Sequence, residues 1–235
     1  MRRLVDLHTH SSVSDGELSP TDLIAAAARA GLEAVALTDH DTLAGLAPAA
    51  AAAGQAGVAF VGGAELSAQW PGGECHIVAL GLQANDPAIA DLLARRRQHR
   101  RERNAALLRR LRDVGVEIKD DELAEAASAS RSPGRLHVAQ LLVRKGYVAD
   151  RREAFDRYIG PGGAAYVPKR EVGLSDILKT VRRSGAASIL AHPVHLGLGN
   201  HAQLERAVRD MVEQGLEGIE VYHSDHSDTM TRACL

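Results

Sequence analysis

The sequence predicts an α/β fold in which parallel strands are joined by crossover helices. In the first third of the chain, short apolar runs at residues 4–7, 34–37 and 58–61 alternate with alanine-rich stretches of helical character. The runs are almost continuously apolar, which is typical of strands buried on both faces. The same alternation returns after residue 166, so the pattern favours one α/β domain that carries an insertion.

Local signals set the first elements. Ser19 is placed as the N-cap of a helix with Pro20 at its first position, and Gly31 follows the last helical residue. A second helix is predicted at about residues 43–56, and a fourth strand at residues 75–81, after a turn at residues 70–73. Later helices at 174–184 and 204–214 alternate with strands at 187–191 and 218–222.

The pattern changes between residues 87 and 165, where we predict a helical insertion. A long helix there has one apolar face and one arginine-rich face, and further helices are predicted at 138–144 and 151–158. The arginine-rich face is either an RNA-binding patch or an ordinary solvated surface.

Composition excludes several classes of protein. The chain has 235 residues, of which 45% are hydrophobic and 25% charged, and its formal net charge is −2. These values argue against a disordered chain and against a strongly cationic nucleic-acid binder. With two cysteines and no long apolar stretch, we expect a cytoplasmic protein with no disulfide framework and no membrane partner.

Histidines and carboxylates stand at or near the ends of the predicted strands. They are His8 and His10 after the first run, Asp15 in the next turn, His40 and Glu65 at the ends of the second and third strands, His76 in the fourth, and His192 at the end of a later one. The ends of parallel strands share one rim, so if the strands are parallel these seven side chains converge. A histidine inside a strand, such as His76, can also be a satisfied core residue.

Such a convergence predicts a metal centre. Histidine and carboxylate ligands without cysteine suit zinc, manganese or iron. Seven ligands are too many for one tetrahedral ion, so we expect more than one, with Glu65 able to bridge two of them. Paired ions of this kind serve displacement at phosphorus.

These residues lie in motifs that resemble the PHP (polymerase and histidinol phosphatase) family. The matching segments are Asp6–His10, Ser14–Gly16, Leu37–Asp41, Gly63–Ser67, His76–Gly81 and Ala191–Pro193. The resemblance implies a distorted (β/α)7 barrel, with residues 1–86 as its first part, the insertion at 87–165 and the second part at 166–235. It also implies two or three divalent ions (manganese, zinc or iron) held by the seven residues named above.

The chain is most similar to stand-alone PHP phosphoesterases that act on nucleoside 3′,5′-bisphosphates, some of which also trim RNA from its 5′ end. Residues 134–139 and 158–160 carry this further likeness. It implies that Arg135 and His137 contact a phosphate or the leaving group. Asp225 and His226, in the loop after the last predicted strand, either line the substrate pocket or are ordinary polar loop residues. The expected partner is a nucleotide phosphate, with short RNA as a further substrate.

One motif departs from the family pattern. The family has a final Asp-x-His ligand pair after a later strand, and this sequence ends before such a segment. We therefore expect either that the C-terminal part is missing or that the site has fewer ligands. Two other functions remain open: a phosphatase for another small phosphate such as histidinol phosphate, and a metal-binding regulatory module with impaired catalysis.

Overall fold

The computed structural model describes residues 4–127 and 133–235. In chain order its elements are β1 (Val5–Thr9), α1 (Pro20–Arg29), β2 (Ala34–Leu37), α2 (Leu46–Ala56), β3 (Ala59–Ala68), β4 (Cys75–Leu80), α3 (Pro87–Asp113), α4 (Asp120–Ala126), α5 (Arg135–Arg144), α6 (Arg151–Ala154), a π-helix (Phe155–Ile159), α7 (Leu174–Arg183), β5 (Ala187–Leu190), a 3₁₀ helix (Pro193–Leu196), α8 (His201–Glu213), β6 (Gly218–Ile219) and α9 (Asp228–Cys234). The chain divides into two compact units, one of Met1–Leu93 with Glu171–Leu235 and one of Ala94–Arg170.

The first unit is built on a sheet in which, among the described residues, six strands lie side by side in chain order. In a flat sheet, β1 and β6 would be more than about 20 Å apart, because neighbouring strands are spaced by nearly 5 Å. Yet Nδ1 of His8 on β1 lies 2.9 Å from Oε1 of Glu220, directly after β6. The sheet is therefore strongly curled and brings its first and last strands together at one end.

Not all the strands are parallel. β1, β2 and β3 are parallel, as are β5 and β6, but β4 is antiparallel to both of its neighbours. The expectation that parallel strand ends account for the whole site is therefore wrong for β4. Six residues separate β3 from β4, and a parallel crossover needs a dozen or more.

The predicted end of the third strand is also wrong. β3 continues through Ala68, so Glu65 lies inside the strand rather than at its end. The reason is the antiparallel pairing with β4, which extends β3 from Gly63 to Ala68.

Apolar side chains hold the sheet and its helices together. Ile24 of α1, Leu37 of β2, Leu66 of β3, Ile77 of β4 and Ile177 of α7 are fully buried in one hydrophobic cluster. The first helix starts as predicted, because Ser19 caps it and Pro20 occupies its first turn. This core fixes the strands whose ends carry the polar residues of the site.

The second unit is helical and has its own hydrophobic cluster. Leu107 and Leu111 of α3, Leu141 and Leu142 of α5, and Ile159 of the π-helix are fully buried in it. The predicted insertion, residues 87–165, overlaps most of this unit, and its bounds remain a prediction. Within the described residues, no helix has both the length and the apolar character needed to cross a membrane.

Candidate metal centre

The buried carboxylate of Glu65 is the centre of a group of five imidazoles. Its side chain is 1% exposed. Oε2 lies 3.3, 3.1 and 3.1 Å from ring nitrogens of His8, His10 and His40 respectively. Oε1 lies 2.9 Å from Nδ1 of His76 and 2.8 Å from Nε2 of His192. The two oxygens of one carboxylate therefore face two different groups of histidines.

Strand geometry explains why His8 and His10 reach the same carboxylate. Side chains two residues apart on an extended segment point to the same side. His8 is near the end of β1, and His10 is the first residue after this strand. The spacing singled out in the sequence thus places both rings against Glu65, with their centroids 5.1 Å apart.

His76 reaches the group although its strand is antiparallel. Ser67 of β3 pairs with His76 of β4, and Glu65 is two residues before Ser67. Glu65 and His76 are therefore diagonal neighbours on one face of the sheet, within reach of each other's side chains. Because β4 starts near this rim, its first residues lie where the other strands end.

Asp15 is a second carboxylate of the group and contacts two of its histidines. Its Oδ1 lies 3.2 Å from Nδ1 of His10, and its Oδ2 lies 3.5 Å from Nε2 of His40. The loop that carries it is held by the buried Asp39, which accepts hydrogen bonds of 2.7 Å from the backbone N–H and the hydroxyl of Ser11. Asp39 thus positions a side chain that is itself 63% exposed.

His192 adopts a backbone conformation that is unusual for its residue type. Its φ is +25°, a region where L-residues are strained. Its N–H donates a 2.7 Å hydrogen bond to Oε2 of Glu220, whose other oxygen contacts Nδ1 of His8. This hydrogen bond holds the strained backbone of His192 in place. In this conformation the His192 ring faces Glu65.

Mutual contacts shift the pKa values of the group. Burial would raise the pKa of Glu65, but hydrogen bonds with its histidines hold it far below its usual range. Burial would lower the pKa of His8, but hydrogen bonds to Glu220 and Glu65 outweigh that effect and raise it to about 9. Burial lowers the pKa of His40, against the attraction of Glu65. The carboxylate is therefore ionised at any physiological pH.

The group lines a cavity of about 290 Å³, and Asp225, one of the two loop residues expected to border the pocket, is part of its lining. His195, His223 and Asp225 belong to this lining, and Nε2 of His195 lies 2.9 Å from Oδ2 of Asp225. Sequence reasoning missed Glu220. It follows a two-residue strand, and its contact with His8 joins positions 212 residues apart. No local motif signals such a contact.

Comparison with known proteins assigns the family. The model of the PHP domain matches residues 6–131, more than half of the chain. The chain belongs to the PHP family. The resemblance seen in the motifs is therefore confirmed.

Relatives and solved structures agree with this assignment. The PHP chain is 37% identical to a 3′,5′-nucleoside bisphosphate phosphatase of Chromobacterium violaceum, over 98% of this chain and 81% of that protein. It is 33% identical to a 5′-3′ exoribonuclease of Haemophilus influenzae, over 94% of this chain and 80% of that protein. A structure of an amidohydrolase from Chromobacterium violaceum with bound sulfate superposes with a TM-score of 0.74 and 36% identity, covering 97% of this chain and 80% of that one.

A further solved structure comes from Bifidobacterium adolescentis and is described as a metal-dependent phosphoesterase. It superposes with a TM-score of 0.70 and 26% identity, covering 98% of this chain and 81% of that one. The predicted PHP-like fold, a distorted barrel of mixed α/β class, is confirmed. The expectation of a metal-dependent phosphoesterase is confirmed as well.

The donor atoms of the PHP site fit divalent metal ions. Three sets of donors each lie within 4.8 Å of one another: His8 with His10 and Glu65, His10 with Asp15 and His40, and His40 with Glu65 and His76. Nδ1 of His192 is buried without a hydrogen-bond partner among the residues the structure describes. A carboxylate offers about four lone-pair sites, fewer than five surrounding imidazoles need. Cations that accept imidazole nitrogen and carboxylate oxygen would satisfy this set.

The remaining predicted site residues occupy other positions. Arg135 and His137 lie in the first turn of α5, in the second unit. The Arg135 guanidinium stacks over Phe155, 5.5 Å from the ring centroid, and donates to the carbonyl of Ile159. His226 is in the first unit, where Nδ1 lies 2.9 Å from the carbonyl of Val221. Their roles toward substrate stay predictions.

Proposed function

We propose that this PHP protein hydrolyses a phosphomonoester of a nucleotide of the 3′,5′-bisphosphate type. The observation that carries the proposal is the buried Glu65 carboxylate in contact with five imidazoles. The relative named a 3′,5′-nucleoside bisphosphate phosphatase supports the substrate class, since it matches nearly the whole chain.

The metal ions would be held by the seven residues predicted from the sequence. They are His8, His10, Asp15, His40, Glu65, His76 and His192. Two or three ions of manganese, zinc or iron suit this donor set. Bound divalent ions supply Lewis acidity for displacement at phosphorus, because they lower the pKa of water and neutralise phosphoryl oxygens.

Glu65 has the arrangement expected of a ligand shared by two ions. Its Oε1 faces His76 and His192, whereas its Oε2 faces His8, His10 and His40. The low pKa of Glu65 keeps both oxygens unprotonated and available. Glu220 is a positioning residue, because it fixes the ring of His8 and the backbone of His192.

Arg135 and His137 are proposed to contact the substrate phosphate or the leaving group. A guanidinium offers parallel donors that match two phosphate oxygens. Nδ1 of His137 accepts a 3.1 Å hydrogen bond from the N–H of Gly134. In the neutral ring the proton is then on Nε2, which can donate it to an oxygen.

His226 is proposed to bind substrate through its other ring nitrogen. Nδ1 donates to the carbonyl of Val221, so Nε2 is the acceptor of the neutral ring. Nε2 is buried without a hydrogen-bond partner among the described residues. A substrate hydroxyl would donate to this nitrogen only if substrate binding uncovers it.

Cleavage of RNA from its 5′ end is a second candidate, and a basic cavity in the second unit favours it. This cavity, of about 290 Å³, is lined by cationic side chains from α3, from α5 and from the segment before residue 171. The side chains are Arg96, Arg100, Arg103, Arg135, Lys169 and Arg170. Such a cavity suits the phosphates of an oligonucleotide, and one relative is named a 5′-3′ exoribonuclease.

The proposed function is tested by measuring phosphate release from adenosine 3′,5′-bisphosphate with manganese present. We expect turnover by the wild-type chain and none by His40→Ala, because His40 contacts both Glu65 and Asp15. His201→Ala is the matched control, since His201 is an exposed histidine at the start of α8. Wild-type protein that binds metal but hydrolyses neither the bisphosphate nor a panel of other phosphomonoesters would refute the proposal.

Competition between the bisphosphate and a 5′-phosphorylated RNA of about ten nucleotides separates the two candidates. If RNA uses the basic cavity, Arg100→Ala raises the KM for RNA more than the KM for the bisphosphate. Arg109→Ala is the control, because Arg109 is an exposed arginine on the same helix and does not line the cavity. Equal effects of the two variants would argue against a role for this cavity in RNA binding.

A further inference from the structure

A second group of metal-type donors lies in the same cavity as the Glu65 group but uses a different carboxylate. It consists of His195, His223 and Asp225, whose donor atoms all lie within 4.8 Å of one another. Nε2 of His195 is 2.9 Å from Oδ2 of Asp225, and Nδ1 of His223 is 4.0 Å from the same oxygen. This proximity is not a feature of any single loop, because His195 is 30 residues from Asp225 in the chain.

The fold brings the three side chains together through two neighbouring strands. His195 lies in the 3₁₀ helix that follows β5, and His223 and Asp225 lie in the segment after β6. β5 and β6 are parallel and adjacent, so the residues that follow them leave the sheet at the same edge. The first unit alone contains the whole group.

Backbone hydrogen bonds hold His223 and Asp225 in a local turn. The N–H of Asp225 donates a 3.1 Å hydrogen bond to Nδ1 of His223. The N–H of His226 donates to the carbonyl of His223, which closes a turn around Asp225. An ion that binds Nδ1 of His223 replaces one hydrogen bond and leaves this turn in place.

The group is open to ions from solvent, unlike Glu65. The side chains of His195 and Asp225 are 40% and 54% exposed, whereas Glu65 is 1% exposed. The rings of His195 and His223 lie 4.9 and 5.3 Å from the ring of His192. The two groups of donors are therefore neighbours that share one cavity and no ligand.

We propose that His195, His223 and Asp225 bind one divalent transition-metal ion, separate from the ions of the Glu65 group. Two imidazoles and one carboxylate form a three-ligand set that zinc, iron(II) and manganese accept, with coordination positions left for water or a ligand oxygen. This site does not depend on the proposed substrate, because it follows from the donors alone.

The number of bound ions tests the proposal without any measurement of activity. Metal-free protein is loaded with Zn²⁺, passed through a desalting column and analysed for zinc per chain. His195→Ala, Asp225→Ala and the double variant should each hold one ion fewer than wild type, and the double variant no fewer than the single ones. His201→Ala is the matched control and should hold the wild-type number.

Two outcomes would overturn the site. If the double variant holds as many ions as wild type, these residues bind none; if it loses two where each single variant loses one, they do not share an ion. Circular dichroism checks that each variant is folded. As a second measurement, crystals of the wild-type chain soaked in Zn²⁺ should give an anomalous peak between His195 and Asp225, and a peak only beside Glu65 would contradict the proposal.

Discussion

One buried carboxylate of the PHP site contacts five histidines. Glu65 is ionised because the hydrogen bonds of its histidines outweigh the effect of burial on its pKa. In the absence of cations, the same histidines compete for two oxygens. A neutral side chain of equal size would keep the packing and remove the charge, which makes Glu65→Gln an informative substitution.

We expect Glu65→Gln to reduce both metal affinity and turnover by more than about a hundredfold. Loss of an outer partner of a metal ligand already costs 10- to 100-fold, and Glu65 contacts five candidate ligands directly. Titration of the metal-free protein with Mn²⁺ measures the affinity, and phosphate release measures the turnover. Glu205→Gln is the control, because Glu205 is a surface residue paired with Arg209; a Glu65→Gln protein with normal metal affinity would contradict the ligand assignment.

His8 gives the metal-free protein a specific dependence of stability on pH. Its pKa is about 9 in the folded chain and near 6.5 when unfolded. Because this pKa is raised on folding, protonated His8 stabilises the fold fully below pH 6.5. That stabilisation is lost as the pH rises towards 9. The shift corresponds to about 3 kcal/mol at most.

Urea unfolding in the presence of a chelator measures this effect. We expect the free energy of unfolding to fall as the pH rises from about 6.5 to 9, and His8→Gln to remove most of the decline. A wild-type protein whose stability is constant or rises over this range would show that His8 and Glu220 do not form the charged pair.

At the scale of elements, the start of α1 provides a local test of the fold. The side chain of Ser19 accepts a 3.1 Å hydrogen bond from the N–H of Asp22. Removal of such a cap costs about 1 kcal/mol, so Ser19→Ala should lower the midpoint of thermal unfolding by a few degrees. Ser12→Ala is the matched control, because Ser12 is exposed and its hydroxyl has no hydrogen bond among the described residues. Equal midpoints for the two variants would contradict the capping role.

Elements governed by local signals were predictable from the sequence, and elements governed by distant partners were not. The cap and the proline placed α1 correctly, and the apolar runs placed β1 and β2. The direction of β4 and the full length of β3 depend on their pairing with each other. The short turn between them was a usable signal, because six residues cannot form a crossover.

The same division applies to the site. The motifs pointed to seven residues that the structure places in one group, although their role as ligands remains a prediction. They did not point to Glu220, because β6 and β1 come close to each other only in the curled sheet. The sequence likewise indicates no role for His195, because its contact with Asp225, 30 residues later, exists only in the fold.

At the scale of the whole molecule, the two units have separate hydrophobic cores. The proposed metal ligands all belong to the first unit. If the two units unfold independently, bound ions stabilise only the unit that holds them, by about 3 kcal/mol per ion when the free ion is at 100 times its dissociation constant.

Chelation should therefore loosen one unit more than the other. In hydrogen exchange, we expect EDTA to reduce the protection of amides in β1, β2 and β3, and to leave those of α5 nearly unchanged. Restoring manganese should recover the protection. Equal loss of protection in α5 would show that metal binding stabilises both units together.

The backbone of His192 has a consequence for how this chain tolerates change. Glycine adopts a φ of +25° more easily than any other residue, so selection for stability alone would favour glycine at this position. His192 instead places an imidazole at this conformational disadvantage, and the ring contacts Glu65. A mutational scan that scores folding should rank glycine above histidine at position 192, whereas a scan that scores turnover should rank histidine above glycine. That difference would identify His192 as a functional residue without any knowledge of the substrate.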